Sequence, residues 1–194
     1  ARHNLLPTHP AFFDAPAQLV AQPRLAHARW RQDHHDARLG EIDRGVELRR
    51  SGDDEGALAL FAQAYDQSHS PRARAQMALA EQALGHFVEA EAHLLEALAT
   101  TDDEWIARRR PDLQVALEAI QHRLGYLELR GGVDGAEVRI DGRSVGRLPM
   151  DAPLRLVTGG YRVEVVARGY YPLARIVTIV SDATTRELRA ITPL

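Results

Sequence analysis

The sequence predicts an α+β fold of more than one domain, with N-terminal α-helical hairpin repeats and a C-terminal small antiparallel β-sandwich. Three observations carry this reading. Residues 36–124 hold 17 alanines but only 8 Val, Ile or Thr, whereas 125–194 hold 6 alanines and 18 of those β-branched residues. Alanine favours helix, and β-branched residues favour a pleated, half-buried strand. A helical pattern also recurs at a spacing of 33 residues, and from Gly125 onward apolar and polar residues alternate with a period of two. The organisation that follows is an arm over 1–35, helical repeats with a capping helix over 36–124, and a sandwich over 125–194.

The arm holds four of the ten prolines and five of the nine histidines, but only two acidic residues. Proline removes a backbone donor and breaks helical periodicity, so an extended segment is expected to about Gln18. Phe12, Phe13, Leu19, Val20 and Trp30 are too apolar for a solvated tail, so the arm is expected to pack on its own repeats or on a partner. The first residue is Ala rather than Met, as a cleaved secretion signal or a trimmed end would leave it.

In the helical region, Gly52 aligns with Gly85, Ala57 with Ala90, Phe61 with Leu94 and Ala64 with Ala97. Ala57, Leu60, Phe61, Ala64 and Tyr65 form one apolar helix face, and Ala90, Leu94, Ala97 and Leu98 repeat it. Each such helix follows another, over about 37–50 and 71–84, that ends at the glycine of the turn. Small alanines let paired helices approach, and Phe61 or Leu94 fills the space between them. Over 38–103 this pattern resembles the tetratricopeptide repeat, although Glu41 and Arg44 stand at its early Trp and Leu positions and Pro71 comes two residues late. A third unit is expected to open with a capping box at Thr101-Asp102-Asp103-Glu104 and a short helix to Arg110. Pro111 then starts a last helix striped by Leu113, Ala116, Leu117, Ile120 and Leu124, the cap of the array.

In the β region, Leu127 and Leu129 face away from Glu128 and Arg130. Val138 and Ile140 alternate with Glu137 and Arg139, and Tyr161, Val163 and Val165 with Arg162 and Glu164. Asp141-Gly142 and Gly159-Gly160 read as tight hairpins. Leu173–Val180, a turn at Ser181-Asp182-Ala183, and Thr184–Ile191 complete six or seven short strands, the pattern of a small antiparallel sandwich. Gly135-Ala136-Glu137-Val138, Asp141-Gly142, Val145-Gly146, Leu148-Pro149-Met150, Gly159-Gly160-Tyr161 and Gly169-Tyr170-Tyr171-Pro172 together resemble the PEGA domain, whose name-giving tetrapeptide is altered here to Val133-Asp134-Gly135-Ala136. The resemblance implies a transthyretin-like or immunoglobulin-like sandwich, an envelope location in bacteria or archaea, and an interaction role without catalysis.

Composition excludes much chemistry. There is no cysteine, so disulfides, thiolate metal sites and cysteine nucleophiles are absent. There is no lysine either: all 24 basic residues are arginine, which removes Schiff-base chemistry and any Gly-Lys-Ser/Thr phosphate loop. A net charge of −3 and a pI near 6.3 argue against nucleic acid. No run approaches the roughly 20 apolar residues of a membrane span. His34-His35-Asp36 lacks the spacing of a metal site, and His86 and His93 read as satisfied or solvated. Gly131-Gly132 and Gly142-Gly146 lie between strands, so they are turns rather than phosphate loops. Asp134 and Asp141 read as turn residues, short of a Ca²⁺ ligand set. Before the β region the serines are Ser51, Ser68 and Ser70, and none of these lies in Gly-x-Ser-x-Gly. Arg108-Arg109-Arg110 reads as C-terminal charge on the short helix before Pro111, with an anionic partner as the alternative.

The expected function is therefore a non-enzymatic scaffold or adaptor in a bacterial cell-envelope assembly, with protein partners, no cofactor, no metal and no membrane span of its own. The chain would be periplasmic or envelope-associated, processed from a secreted precursor. Candidate partner-binding residues are Phe12, Phe13 and Trp30 on the arm, Arg49, Arg72 and Gln82 on the inner helices, and Arg108 and Arg109 in the basic run. The alternative is a carbohydrate- or cell-wall-binding module using Tyr161, Tyr170 and Tyr171. Against it stands the reading that these tyrosines pack under the sandwich.

Overall fold

A computed structural model describes residues 40–189 and 192–194. Five helices precede the strands: α1 over 40–50, α2 Asp54–Ser68, α3 Pro71–Leu84, α4 Phe87–Ala99 and α5 Glu104–Gln121. Each start has a local cause. Asp53 accepts from Gly56 N–H, Ser70 caps α3 with Pro71 in its first turn, and Asp103 accepts from Ile106 N–H at 2.9 Å. Gly85, at φ 81°, ends α3 in the left-handed conformation.

The paired helices meet through the alanine faces. Ala57, Phe61 and Ala64 of α2 pack with Ile42 of α1 and Ala73, Met77 and Ala80 of α3. Ala90, Leu94 and Ala97 of α4 pack with Ala75 and Ala78 of α3 and Ile106 and Leu113 of α5. At Gly45 the approach is tight: a Cβ there would stand 2.5 Å from the ring of the fully buried Phe61.

The third unit departs from expectation. The cap is Asp103, not Thr101, and one helix of 18 residues runs straight through Pro111. Pro111 is exposed, so the carbonyl left without its donor faces water, while Ile106, Leu113 and Ile120 on the opposite side are buried before and after it. That shared apolar anchorage offsets the loss at the proline. Leu124, assigned to this helix's stripe, is instead the first residue of a strand, although it stays in the same core.

Seven strands follow: β1 Leu124–Gly131, β2 Glu137–Ile140, β3 Arg143–Arg147, β4 Leu154–Val157, β5 Gly159–Val166, β6 Leu173–Ile179 and β7 Thr184–Arg189. They form sheets ordered β4-β1-β7 and β3-β2-β5-β6. Leu127, Ile140, Val163, Val177 and Ile179 fill one part of the space between the sheets, and Ala136, Val138, Leu148 and Val165 the other. The sandwich is not wholly antiparallel: β1 and β7 pair in parallel, from Tyr126↔Thr184 to Gly131↔Arg189. The β6–β7 turn crosses between sheets, so β7 returns in the direction of β1.

Asp141-Gly142 is the expected tight hairpin, with φ 48° and 81° and Ile140 paired to Arg143. Gly159-Gly160 is not one. The strands on either side belong to different sheets, and Thr158 N–H bonds Arg123 O at 2.8 Å instead of a hairpin partner. The two glycines make a corner.

The described residues lie in one compact unit, and the sandwich is fused to the helices. Leu124 of β1 and Val157 of β4 enter the core of α4 and α5. Arg155 of β4 makes a two-pronged ion pair with Glu91 of α4, both contacts at 2.8 Å, and its guanidinium lies 4.3 Å from the Tyr126 ring centroid. Ser181 Oγ donates to His122 O at 2.7 Å at the end of α5. The start of β1 thus lies against α5, and the edge strand β4 against α4.

Candidate functional site

The helices α1, α3 and α5 line one side of the helical array and enclose a groove of about 710 Å³. Its residues follow the sequence period. Asp43, Gln76 and Arg109 are successive positions 33 residues apart, as are Val46, Leu79 and Asp112, and Arg72 and Trp105. Spacing of three or four residues keeps each set on one helix face, as in Arg72, Gln76 and Leu79. Between them Val46, Leu79, Trp105 and Leu113 supply apolar contact area and Arg49, Arg72, Gln76 and Arg109 supply donors.

The donors are held in place from within. Arg49 Nε lies 3.3 Å from Asp54 Oδ1, and its Nη1 donates to the buried Gln76 Oε1 at 3.3 Å. Arg72 Nη2 reaches Asp43 Oδ1 at 2.6 Å and the guanidinium stands 5.6 Å from the Trp105 ring centroid. Its Nε is buried and makes no hydrogen bond. Arg109 pairs with Asp112 on its own helix at 3.4 Å, with both side chains largely exposed. Exposed pairs of this kind contribute little and are readily exchanged for another anion.

The structure gathers Arg49, Arg72 and Arg109 from three helices into this groove. Gln82 stays out, beyond Leu79, the last lining residue of α3; its carbonyl accepts from Gly85 N–H. Arg108 is one residue round the helix from Arg109, exposed, and donates back to Glu104 O at 3.3 Å. Arg110 points elsewhere again and donates to Leu98 O and Thr100 O, at 3.0 and 2.9 Å. The arginine run therefore lies in mid-helix, and the helix end it serves is that of α4, not its own. Phe12, Phe13, Trp30 and the His34-His35-Asp36 cluster lie outside the described residues.

Trp105, Gln76, Asp43 and Asp112 were not singled out from the sequence. Their signal was available: carrying the spacing of 33 past α3 aligns Ser70 with Asp103 and Arg72 with Trp105. The proline at 111 hid it by suggesting two helices.

Elsewhere, His93 is satisfied by Glu81 at 2.7 Å, and His86 is exposed at the start of α4. Tyr161 and Tyr170 pack against the two sandwich cores, whereas Tyr171 is 58% exposed. Among the described residues no three of His, Asp or Glu are grouped to hold a metal ion, and no helix is long and apolar enough to cross a membrane. Residues 125–190 match the model of the PEGA domain, which takes in the strands from the second residue of β1 to the end of β7 and none of the helices. No curated protein matches the chain.

Proposed function

We propose that this chain is a non-enzymatic adaptor of the bacterial envelope, whose helical groove grips a segment of a protein partner while the PEGA sandwich holds the array closed and offers a second surface. One observation carries the reading: three helices bring Arg49, Arg72 and Arg109 together around Trp105 and Leu79, and all of these except Arg49 stand at groove positions related by the 33-residue period. The resemblance of these helix pairs to tetratricopeptide repeats supports it, since stacked pairs use such concave faces for extended or helical segments. The PEGA match supports an extracellular or periplasmic binding module, because such domains are typical of proteins there.

Affinity isolation from a bacterial envelope extract tests this. The 194-residue chain is expected to recover a stoichiometric partner that Trp105→Ala and Leu79→Arg lose while their helical circular dichroism is kept. Recovery of the same partner by both variants, or substrate turnover by the isolated chain, would sink the proposal. Retention on cell-wall polysaccharide, abolished by Tyr171→Ala, would favour the carbohydrate reading instead.

A further inference from the structure

Resting on the groove as the partner site, we infer that the segment it takes is an acidic linear peptide with an apolar or aromatic residue between its carboxylates. Charge distribution carries this. Residues 40–124 contain 9 arginines and 16 acidic residues, yet four of those arginines and only three of those acids line the groove. The groove lining is thus net positive in a body that is net acidic.

The arrangement of the charges sharpens the inference. Arg49 and Arg72 are held low, with side chains 27% and 23% exposed, whereas their neighbours Asp43 and Asp112 are 66% and 74% exposed at the rim. The rim acids are solvated and free to swing away when a better-placed carboxylate arrives. Arg72 spends Nη2 on the exposed Asp43, so its planar fork can turn to an incoming carboxylate when that acid swings away. Trp105, beside that guanidinium, gives a flat apolar face against which a side chain of the peptide can lie. A basic segment would instead meet Arg72 and Arg109 with like charge.

Selection of random 12-residue peptides displayed on phage against the full 194-residue chain tests this. Enriched sequences are expected to carry several Asp or Glu around a large apolar residue. A synthetic winner should bind about tenfold more tightly than its Asn/Gln counterpart and weaken as salt is raised. Arg72→Gln should weaken it about tenfold and the exposed Arg109→Gln about threefold, the latter with unchanged Tm. Enrichment of neutral or basic peptides, no enrichment at all, or acidic peptides indifferent to both substitutions would overturn the inference. If Trp105→Ala loses the envelope partner while the selected peptides are not acidic, the groove stands and only its specificity is wrong. If acidic peptides bind but Trp105→Ala keeps the partner, the inference stands and the adaptor reading falls.

Discussion

Glu81 is a nearly buried carboxylate on α3 that meets His93 Nδ1 on α4 at 2.7 Å. Burial pushes its pKa up, and the hydrogen bond and charge of His93 offset that only in part. A carboxyl that holds its proton more tightly folded than unfolded makes stability fall as pH rises, between the ordinary carboxylate value of 4.5 and its own raised value. Below that window both states are protonated and nothing is lost. Glu96 works the opposite way: the Tyr65 hydroxyl and then Arg74 pull its pKa down, so it contributes stability that is lost on acidification. The Glu81 effect is therefore isolated by difference. In urea titrations from pH 4 to pH 7, Glu81→Gln should gain on the wild type as pH rises. A constant difference across that range would show that Glu81 does not titrate differently on folding. The sequence reading of His93 as a satisfied histidine was sound, but its partner is 12 residues away across a helix pair. No pattern within one helix points to it.

Within the helices, one residue inverts the usual propensity rule and another follows it. Glycine in a helix interior is normally worse than alanine by about 1 kcal/mol. At Gly45 the added methyl would meet the Phe61 ring at 2.5 Å, and Phe61 is fully enclosed by α1, α2 and α3. Overpacking then outweighs propensity, and Gly45→Ala is expected to cost about 1–3 kcal/mol. Pro111 is the converse, an exposed proline inside α5 that interrupts the backbone ladder with no contact to lose. Pro111→Ala should stabilise by about 1–3 kcal/mol, less than the full helix penalty because proline also stiffens the unfolded chain. Thermal melts of the two variants decide both; opposite signs would overturn the packing argument. Element types were legible where one period runs undisturbed, as from Ala57 to Tyr65 or from Glu137 to Ile140. They were lost where tertiary contacts override a local rule: α5 through Pro111, the corner at Gly159, and the parallel pairing of β7. The groove was half legible, because the repeat alignment put Arg49 and Arg72 on the inner helices and the basic run marked Arg109, while the false break at Pro111 concealed Trp105.

Across the molecule, the joint between helices and sandwich left no trace in the sequence. Glu91 and Arg155 are 64 residues apart, and neither stands out in its own element. Their side chains are 12% and 16% exposed, so each charge depends on the other. The Glu91 carboxylate is the main reason the Arg155 pKa is raised. Removing one partner of such a pair leaves a desolvated charge, whereas replacing both by apolar groups removes the penalty along with the attraction. Arg155→Met alone is expected to cost about 2–4 kcal/mol, and Glu91→Leu together with Arg155→Met less than that. Gly125 sharpens the demand for close fit here, since a Cβ on it would run into Val180 O where β1 passes the β6–β7 turn. Because Leu124 and Val157 also belong to the helical core, the two parts have no separate folded reference and should unfold together. Four of the five tyrosines lie in the sandwich, so tyrosine absorbance follows the sheets while circular dichroism at 222 nm follows the helices. The two midpoints in urea should coincide in the wild type and shift together in Arg155→Met. Separate midpoints in the wild type would mean that the sandwich is an appended domain, and that the groove keeps its shape without it.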